Sequence, residues 1–422
     1  MNLIEDFKYR GLVNQAIDLD LFKKRMDVSP ITFYCGFDPS ADSLQLGNLL
    51  VIMTAKRLSK YGHKPIILVG GMTGLIGDPS GRDSERLLPD EALVFLRVEK
   101  FKNEMSKFFD FKTEADLVNN YDWFKDFKLI DFLRDIGKNF TVSYLLNKEF
   151  IKTRLNSEVG ISYTEFSYGL IQAYDFYHLF KEYNCEMQLA GSDQWGNITS
   201  GATLIEQMTG NKVFGLTLPI LTDENGKKLS KSFNNTVFLN KEVTTPFRFY
   251  QYFINLADNL AYDWIKMFTF LSHDEIEEKI KEQKKKPETR LCQKYLAKYL
   301  TDFVHGVETT DRVEKITNIL FNGDITNLDE EDFEEAFSDV EQVNLKINDL
   351  INVNLADILV KIGICSSKRQ AREDIENKAI NINGIIYCDV DEKITEDKIL
   401  FNKYIVIRRG KKSYFLIKVA SK

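Results

Sequence analysis

The chain has 422 residues, 44% hydrophobic and 28% charged, the balance of a soluble globular protein with roughly three domains and ample core. Its net charge of −7 excludes blanket binding to polyanions, so any nucleic-acid contact must be local. The five cysteines, at 35, 185, 292, 365 and 388, form no CxxC pair and no zinc spacing, as expected of reduced thiols, although Cys35 is ambiguous because it sits between Tyr34 and Gly36. The first residues lack a basic region followed by an apolar core, and no apolar run approaches the ~18 residues of a membrane span. A cytoplasmic protein is expected.

Taken in chain order, the first half alternates short apolar runs with helical patterns. Ile31–Phe37, Pro65–Gly70, Met187–Gly191 and Leu216–Leu221 read as strands buried on both faces, with helices over Leu49–Tyr61 and Ser167–Glu182. This is the pattern of a Rossmann-like, doubly wound α/β domain with a parallel sheet, whose ligands bind beyond the carboxyl ends of the strands. A helical stretch over 91–154 is long enough to be an insertion carrying an interface. After Pro246 the pattern turns helical to about residue 323, and Lys284-Lys285-Lys286 reads as a solvated helix end. Residues 324–341 then hold nine acidic residues and no basic one, read as a polar connector with a short helix within a linker spanning 324–350. The last block, 351–422, reverses the charge. Ser367 can cap a helix bearing Lys368, Arg369 and Arg372, Asn383-Gly384 signals a hairpin, and residues 401–422 carry seven basic residues and no acid. A small α+β module with a basic face is expected there, suited to a phosphate backbone.

Two segments carry the chemistry. Gln45-Leu46-Gly47-Asn48 is a Gly-centred turn opening a helix, which offers free N–H groups and a partial positive charge to phosphates. Gln45 and Asn48 share a face, and Gly47 lets the backbone lie close under a base or sugar. Lys228-Leu229-Ser230-Lys231-Ser232 lies in a loop flanked by Asn and Gly. Its lysines can close over the β- and γ-phosphates, a task of positioning and electrostatics. No Walker-type loop and no Ser-His-Asp set occurs.

These segments resemble variants of the HIGH and KMSKS signatures of class I aminoacyl-tRNA synthetases. The resemblance is to the bacterial tyrosyl-type branch in particular, through residues 34–43, 74–81, 163–168, 172–176, 191–197, 367–374 and 407–412. It covers essentially the whole chain. It implies that Tyr34 and Asp175 bind a substrate phenol hydroxyl, that Asp78, Tyr168 and Gln172 hold its ammonium, and that Gln194 orients its carboxylate. Asp193 would accept from the ribose of ATP, with Gly36, Asp38, Gly47 and Gly191 lining that pocket. Gln45, Asn48, Ser40, Lys228 and Lys231 would form the catalytic set, with Arg82 and Arg86 within reach of pyrophosphate or the tRNA end. Lys368, Arg369, Arg372, Arg408, Arg409, Lys411 and Lys412 would meet tRNA in a module resembling a ribosomal small-subunit RNA-binding fold, and the helical domain over 246–323 resembles an anticodon-side domain. A homodimer formed through the inserted region is implied too, as is Mg²⁺ arriving with ATP rather than in a protein cage. Gln45 departs from the signature, whose first position usually holds His. The competing readings are a tryptophanyl-type enzyme, an RNA-binding protein on a decayed synthetase body, and an adenylyltransferase with a small acceptor.

Overall fold

A computed structural model describes residues 2–80, 88–156, 160–224, 226–229, 236–322, 325–338, 340–410 and 413–420. Arg82, Arg86, Ser230, Lys231, Ser232, Lys411 and Lys412, named from the sequence, lie outside these residues. The chain divides into two compact units, one of residues 1–244 and 251–304, the other of 245–250 and 305–422. The helices expected as one domain over 246–323 therefore separate, most of them staying with the first unit.

The first unit is built on a six-stranded sheet. Its strands are β1 (Gln15–Ala16), β2 (Thr32–Phe37), β3 (Lys64–Val69), β4 (Asp116–Asn119), β5 (Cys185–Gly191) and β6 (Phe214–Leu218), in the order β1-β6-β5-β2-β3-β4. All neighbours are parallel except β1 on β6. The apolar runs at Pro65–Val69 and Phe214–Leu218 are buried without alternation, because helices cover both faces of a parallel sheet. Chain order reverses between β2 and β5, which opens a crevice at their carboxyl ends, at Phe37 and Gly191. The helix Leu46–Lys60 follows β2, and Tyr163–Tyr183 precedes β5.

The stretch over 91–154 is not wholly an insertion. Helix Glu91–Met105 and strand β4 belong to the sheet domain, β4 pairing with β3 from Ile66↔Asp116 to Val69↔Asn119. A four-residue edge strand with only Leu117 and Val118 apolar leaves too little hydrophobic pattern to read in advance. Helices Asp258–Phe268 and His273–Lys285 join this unit through a buried polar hub. Asp6 takes Arg10 at 2.6 Å and His273 at 2.8 Å, while Arg10 also donates to the carbonyls of Lys266, Thr269 and Leu271.

The second unit carries β7 (Glu341–Lys346), β8 (Ile380–Ile382), β9 (Ile385–Tyr387), β10 (Tyr404–Arg409) and β11 (Ser413–Ala420), ordered β7-β11-β10-β8-β9. Asn383 and Gly384, both at positive φ, make the hairpin turn between β8 and β9. Ser367 caps helix Lys368–Glu376 by accepting the Gln370 N–H. The acidic stretch read as a connector is built into this unit. Helix Glu330–Ala336 buries Phe333 against Phe337 and Tyr404, its carboxylates Glu331, Asp332 and Glu335 surround Arg312, and β7 runs parallel to β11. Two aromatic residues four apart outweigh the charge around them. The cysteines are free, four buried and Cys388 exposed, and no helix among the described residues is long and apolar enough to cross a membrane.

Candidate active site

Helix Tyr163–Tyr183 presents Tyr168, Gln172 and Asp175 at helical spacing, so all three face the crevice side of the sheet from one stripe. Asp175 is 1% exposed, yet both of its oxygens are served: Trp123 Nε1 donates to Oδ1 at 2.9 Å and Asn120 Nδ2 to Oδ2 at 3.1 Å. Burial nonetheless pushes its carboxyl up to about 8, with Asp38 adding to the rise and the two N–H donors opposing it. Tyr34 on β2 is likewise 1% exposed, its ring against Phe176, and its hydroxyl has no hydrogen-bond partner among the described residues. Tyr34 and Asp175 are electrostatically coupled, and burial foremost raises the Tyr34 phenol. A buried hydroxyl without a partner costs roughly 1–3 kcal/mol, a cost that a ligand hydroxyl can relieve.

Asp38, just past β2, joins the two ends of the crevice. It accepts from Thr73 Oγ1 at 2.6 Å and from the Tyr168 hydroxyl at 2.8 Å. Asn120 Nδ2 in turn donates to Thr73 Oγ1 at 3.0 Å, so one chain of hydrogen bonds runs from Tyr168 through Asp38, Thr73 and Asn120 to Asp175. Burial, then Asp38 and Asp78, raise the Tyr168 phenol, which therefore remains a donor. The chain closes tightly over Gly70, where a Cβ would lie 2.1 Å from Asp38 Oδ1 and 2.2 Å from Thr73 Oγ1.

A second network holds the neighbouring polar groups. Gln194 Nε2 donates to Asp78 Oδ2, and Gln194 Oε1 accepts from Gln172 Nε2 at 3.2 Å and from Asn197 Nδ2 at 3.1 Å. Asp78 Oδ1 accepts the Ser80 N–H at 2.9 Å. Gln194 thus bridges Asp78 and Gln172, which brings the three residues together.

At the other side, Gln45 is the N-cap of helix Leu46–Lys60, and its N–H donates to Asn48 Oδ1 at 2.8 Å. That bond uses Asn48's acceptor and leaves its NH₂ to donate outward, the polarity a phosphate requires. Gly47 is exposed, and a Cβ there would meet no protein atom within 4 Å. Packing among the described residues therefore does not demand glycine at this turn. Ser40 is exposed in a turn whose N–H bonds the Asp38 carbonyl. Gly36 is exposed at the end of β2, and Gly191 ends β5. Asp193 Oδ2 lies 3.4 Å from Lys228 Nζ, which brings the lysine segment onto the expected ribose acceptor. Among the described residues no group of three His, Cys, Asp or Glu could hold a metal ion.

Sequence reasoning missed Thr73, Asn120, Trp123 and Asn197. Asn119-Asn120 after a short apolar pair was the available signal, since polar residues at a strand's carboxyl end border the crevice. In the second unit, Arg369 and Arg372 are exposed on helix Lys368–Glu376, while Lys368 pairs with Asp357 at 2.6 Å. Arg408 lies over the Tyr414 ring. Arg409 is paired within the domain, with Asp374 at 2.8 Å and the Ile364 carbonyl at 2.7 Å.

A parallel sheet with a polar crevice at its strand-order reversal, flanked by a glycine turn and a lysine segment, is the arrangement of a class I tRNA synthetase. The family model for class I tRNA synthetases (W and Y) matches residues 26–322, and that for the SYY-like C-terminal domain of tyrosine–tRNA ligase matches 332–417. The tyrosine–tRNA ligase of Staphylococcus saprophyticus is 46% identical over 418 residues, covering 98% of each chain. That of Geobacillus stearothermophilus is 45% identical over 424 residues, covering 100% of each. Among solved structures, the C-terminally truncated mitochondrial tyrosyl-tRNA synthetase of Aspergillus nidulans superposes with a TM-score of 0.69 at 28% identity, covering 75% of this chain and 94% of that one. The chain belongs to the tyrosine–tRNA ligase family.

Proposed function

We propose that this protein joins tyrosine to its tRNA in two steps at this crevice. Tyrosine enters with its phenol between Tyr34 and Asp175 and its ammonium toward Asp78, Tyr168 and Gln172. Its carboxylate oxygen attacks the α-phosphorus of ATP, which arrives carrying Mg²⁺. The bond to the β,γ-pyrophosphate breaks, giving tyrosyl-adenylate and pyrophosphate. Asn48, Gln45, Lys228 and Lys231 meet the phosphates, and Asp193 receives the ribose hydroxyls in place of Lys228. The adenylate carbonyl is then attacked by a ribose hydroxyl of the tRNA's terminal adenosine, releasing AMP.

The observation that carries the substrate is the Tyr34–Asp175 end of the crevice. A buried hydroxyl without a hydrogen-bond partner among the described residues stands beside a buried carboxyl group that two N–H donors hold in place. Such a site accepts a hydroxyl and penalises an analogue without one. The general magnitude of that penalty is known for this enzyme type. Tyrosine-dependent ATP–pyrophosphate exchange tests the reading. Activity with tyrosine and not with tryptophan or phenylalanine is expected, and exchange favouring tryptophan, or none at all, would overturn it.

Pairing of two copies through the inserted region is part of the same reading. Leu129, Ile130 and Val142 are exposed there at 73%, 67% and 62%, an apolar surface that a second copy would cover. The exposed Arg369 and Arg372 support tRNA contact by the second unit, and the reading places the protein in the cytoplasm.

A further inference from the structure

Helix Glu91–Met105 turns Val94, Val98, Phe101 and Met105 inward, and among them it buries a glutamate, Glu104, at 5% exposure. Burying a carboxylate costs several kcal/mol unless something compensates it, so an apolar side chain would fill this place more cheaply. Glu104 has no ion-pair partner among the described residues. Its Oε2 accepts the Leu44 N–H at 2.9 Å, the Ser43 hydroxyl is near enough to hydrogen-bond the same carboxyl, and Oε1 is buried without a hydrogen-bond partner among the described residues. Leu44 is the residue before the Gln45–Asn48 turn.

The other edge of the same segment is tied to the chain returning from the lysine loop. The Leu46 N–H donates to the Val237 carbonyl at 3.1 Å, and the Leu239 N–H to the Leu44 carbonyl at 2.9 Å, a short antiparallel bridge centred on Gln45 and Phe238. Ser43, 1% exposed, accepts the Asn240 N–H on its Oγ at 3.0 Å. Phe238 is fixed in turn, its N–H donating to Thr244 Oγ1 at 3.0 Å. Residues 43–46 are therefore held between Glu104 on one side and residues 237–240 on the other. One phosphate-handling segment springs directly from this strap, and the other returns into it.

We propose that Glu104 and Ser43 are positioning residues for ATP: together they fix the strap that sets the Gln45–Asn48 turn against the root of the lysine loop, while neither touches substrate. The proposal rests on assigning both segments to ATP. Glu104→Ala, Glu104→Gln and Ser43→Ala in the full-length protein test it, with ATP and tyrosine varied separately in pyrophosphate exchange and tyrosine affinity measured at equilibrium. Glu104→Ala and Ser43→Ala should each lower kcat/KM for ATP on the order of 10- to 100-fold, as misplacement of a phosphate-handling group does, with tyrosine affinity unchanged. Glu104→Gln keeps an acceptor for Leu44 and should recover most of the loss. Equal losses for ATP and tyrosine, wild-type ATP kinetics in the alanine variants, or a glutamine no better than alanine would each overturn the proposal. Should Glu104→Ala fail to fold, Ser43→Ala and Glu104→Gln decide by the same criteria. A wild type without exchange activity would instead overturn the assignment of the site.

Discussion

Asp175 places function and stability in direct opposition, and Asp175→Asn measures the conflict. In the free protein burial raises the carboxyl from 3.8 to about 8. The folded state then holds a proton that the unfolded chain has released, so the group's contribution to stability falls as pH rises between those values and is flat above about 8. At about 1.4 kcal/mol per pH unit, wild type should lose roughly 4 kcal/mol between pH 5 and pH 8 that Asp175→Asn does not lose. A constant offset runs the other way. Trp123 and Asn120 aim N–H donors at both oxygens, and an amide offers only one acceptor, so one donor faces an NH₂ at a cost of about 1–3 kcal/mol. The variant should therefore be the less stable protein near pH 5 and overtake wild type toward pH 8. Urea denaturation of both proteins at several pH values without tyrosine reads the difference, and groups common to both cancel. Parallel pH profiles would refute the reasoning, since they require Asp175 to be ionised throughout. The same variant should bind tyrosine far more weakly, which separates the residue's chemical task from its folding cost.

Four further outcomes follow from the same geometry. Trp123→Phe removes one of the two donors to the Asp175 carboxyl, worth about 0.5–1.5 kcal/mol while that carboxyl is protonated, so tyrosine's KM should rise roughly 2- to 10-fold and rejection of phenylalanine should weaken; an unchanged KM would count against the role. Gln45→His should alter pyrophosphate exchange only modestly, because the turn is held by the Gln45 N–H and Asn48 rather than by a ring; a wild type inactive until so repaired would sink that view. A cut near residue 352 would strand β7 without β11, and one at Asn322 would strand Arg312 without its carboxylates, so the informative truncation ends at Val304, the last residue of the first unit: tyrosine-dependent exchange should persist and tRNA charging should collapse, and full charging would exclude the second unit from tRNA binding. Leu129→Asp with Ile130→Asp should convert a dimer into monomers in sedimentation equilibrium, and an unaltered mass would move the interface elsewhere.

The parallel strands of the first unit and the hairpin of the second were legible because continuous apolar runs and an Asn-Gly turn are local signals. Strand β4 was not, since its place at the sheet edge depends on pairing with Ile66–Val69 rather than on its own four residues. The acidic stretch misled for a related reason. Its charge count suggests solvent, whereas Arg312 and the aromatic pair Phe333–Phe337 decide that helix's fate, and Arg312 lies outside the stretch. The groups proposed to face the substrate were legible by type, Tyr34, Asp78, Gln172, Asp175 and Gln194 all bordering the crevice. What escaped was the layer behind them. Thr73, Asn120, Trp123 and Glu104 act on other protein groups rather than on a ligand, and each becomes recognisable only through the atom it holds. Sequence patterns reveal residue types that chemistry requires. The supporting groups can be of any type that reaches, so geometry alone exposes them, and at such positions substitutions should shift substrate affinity without touching substrate.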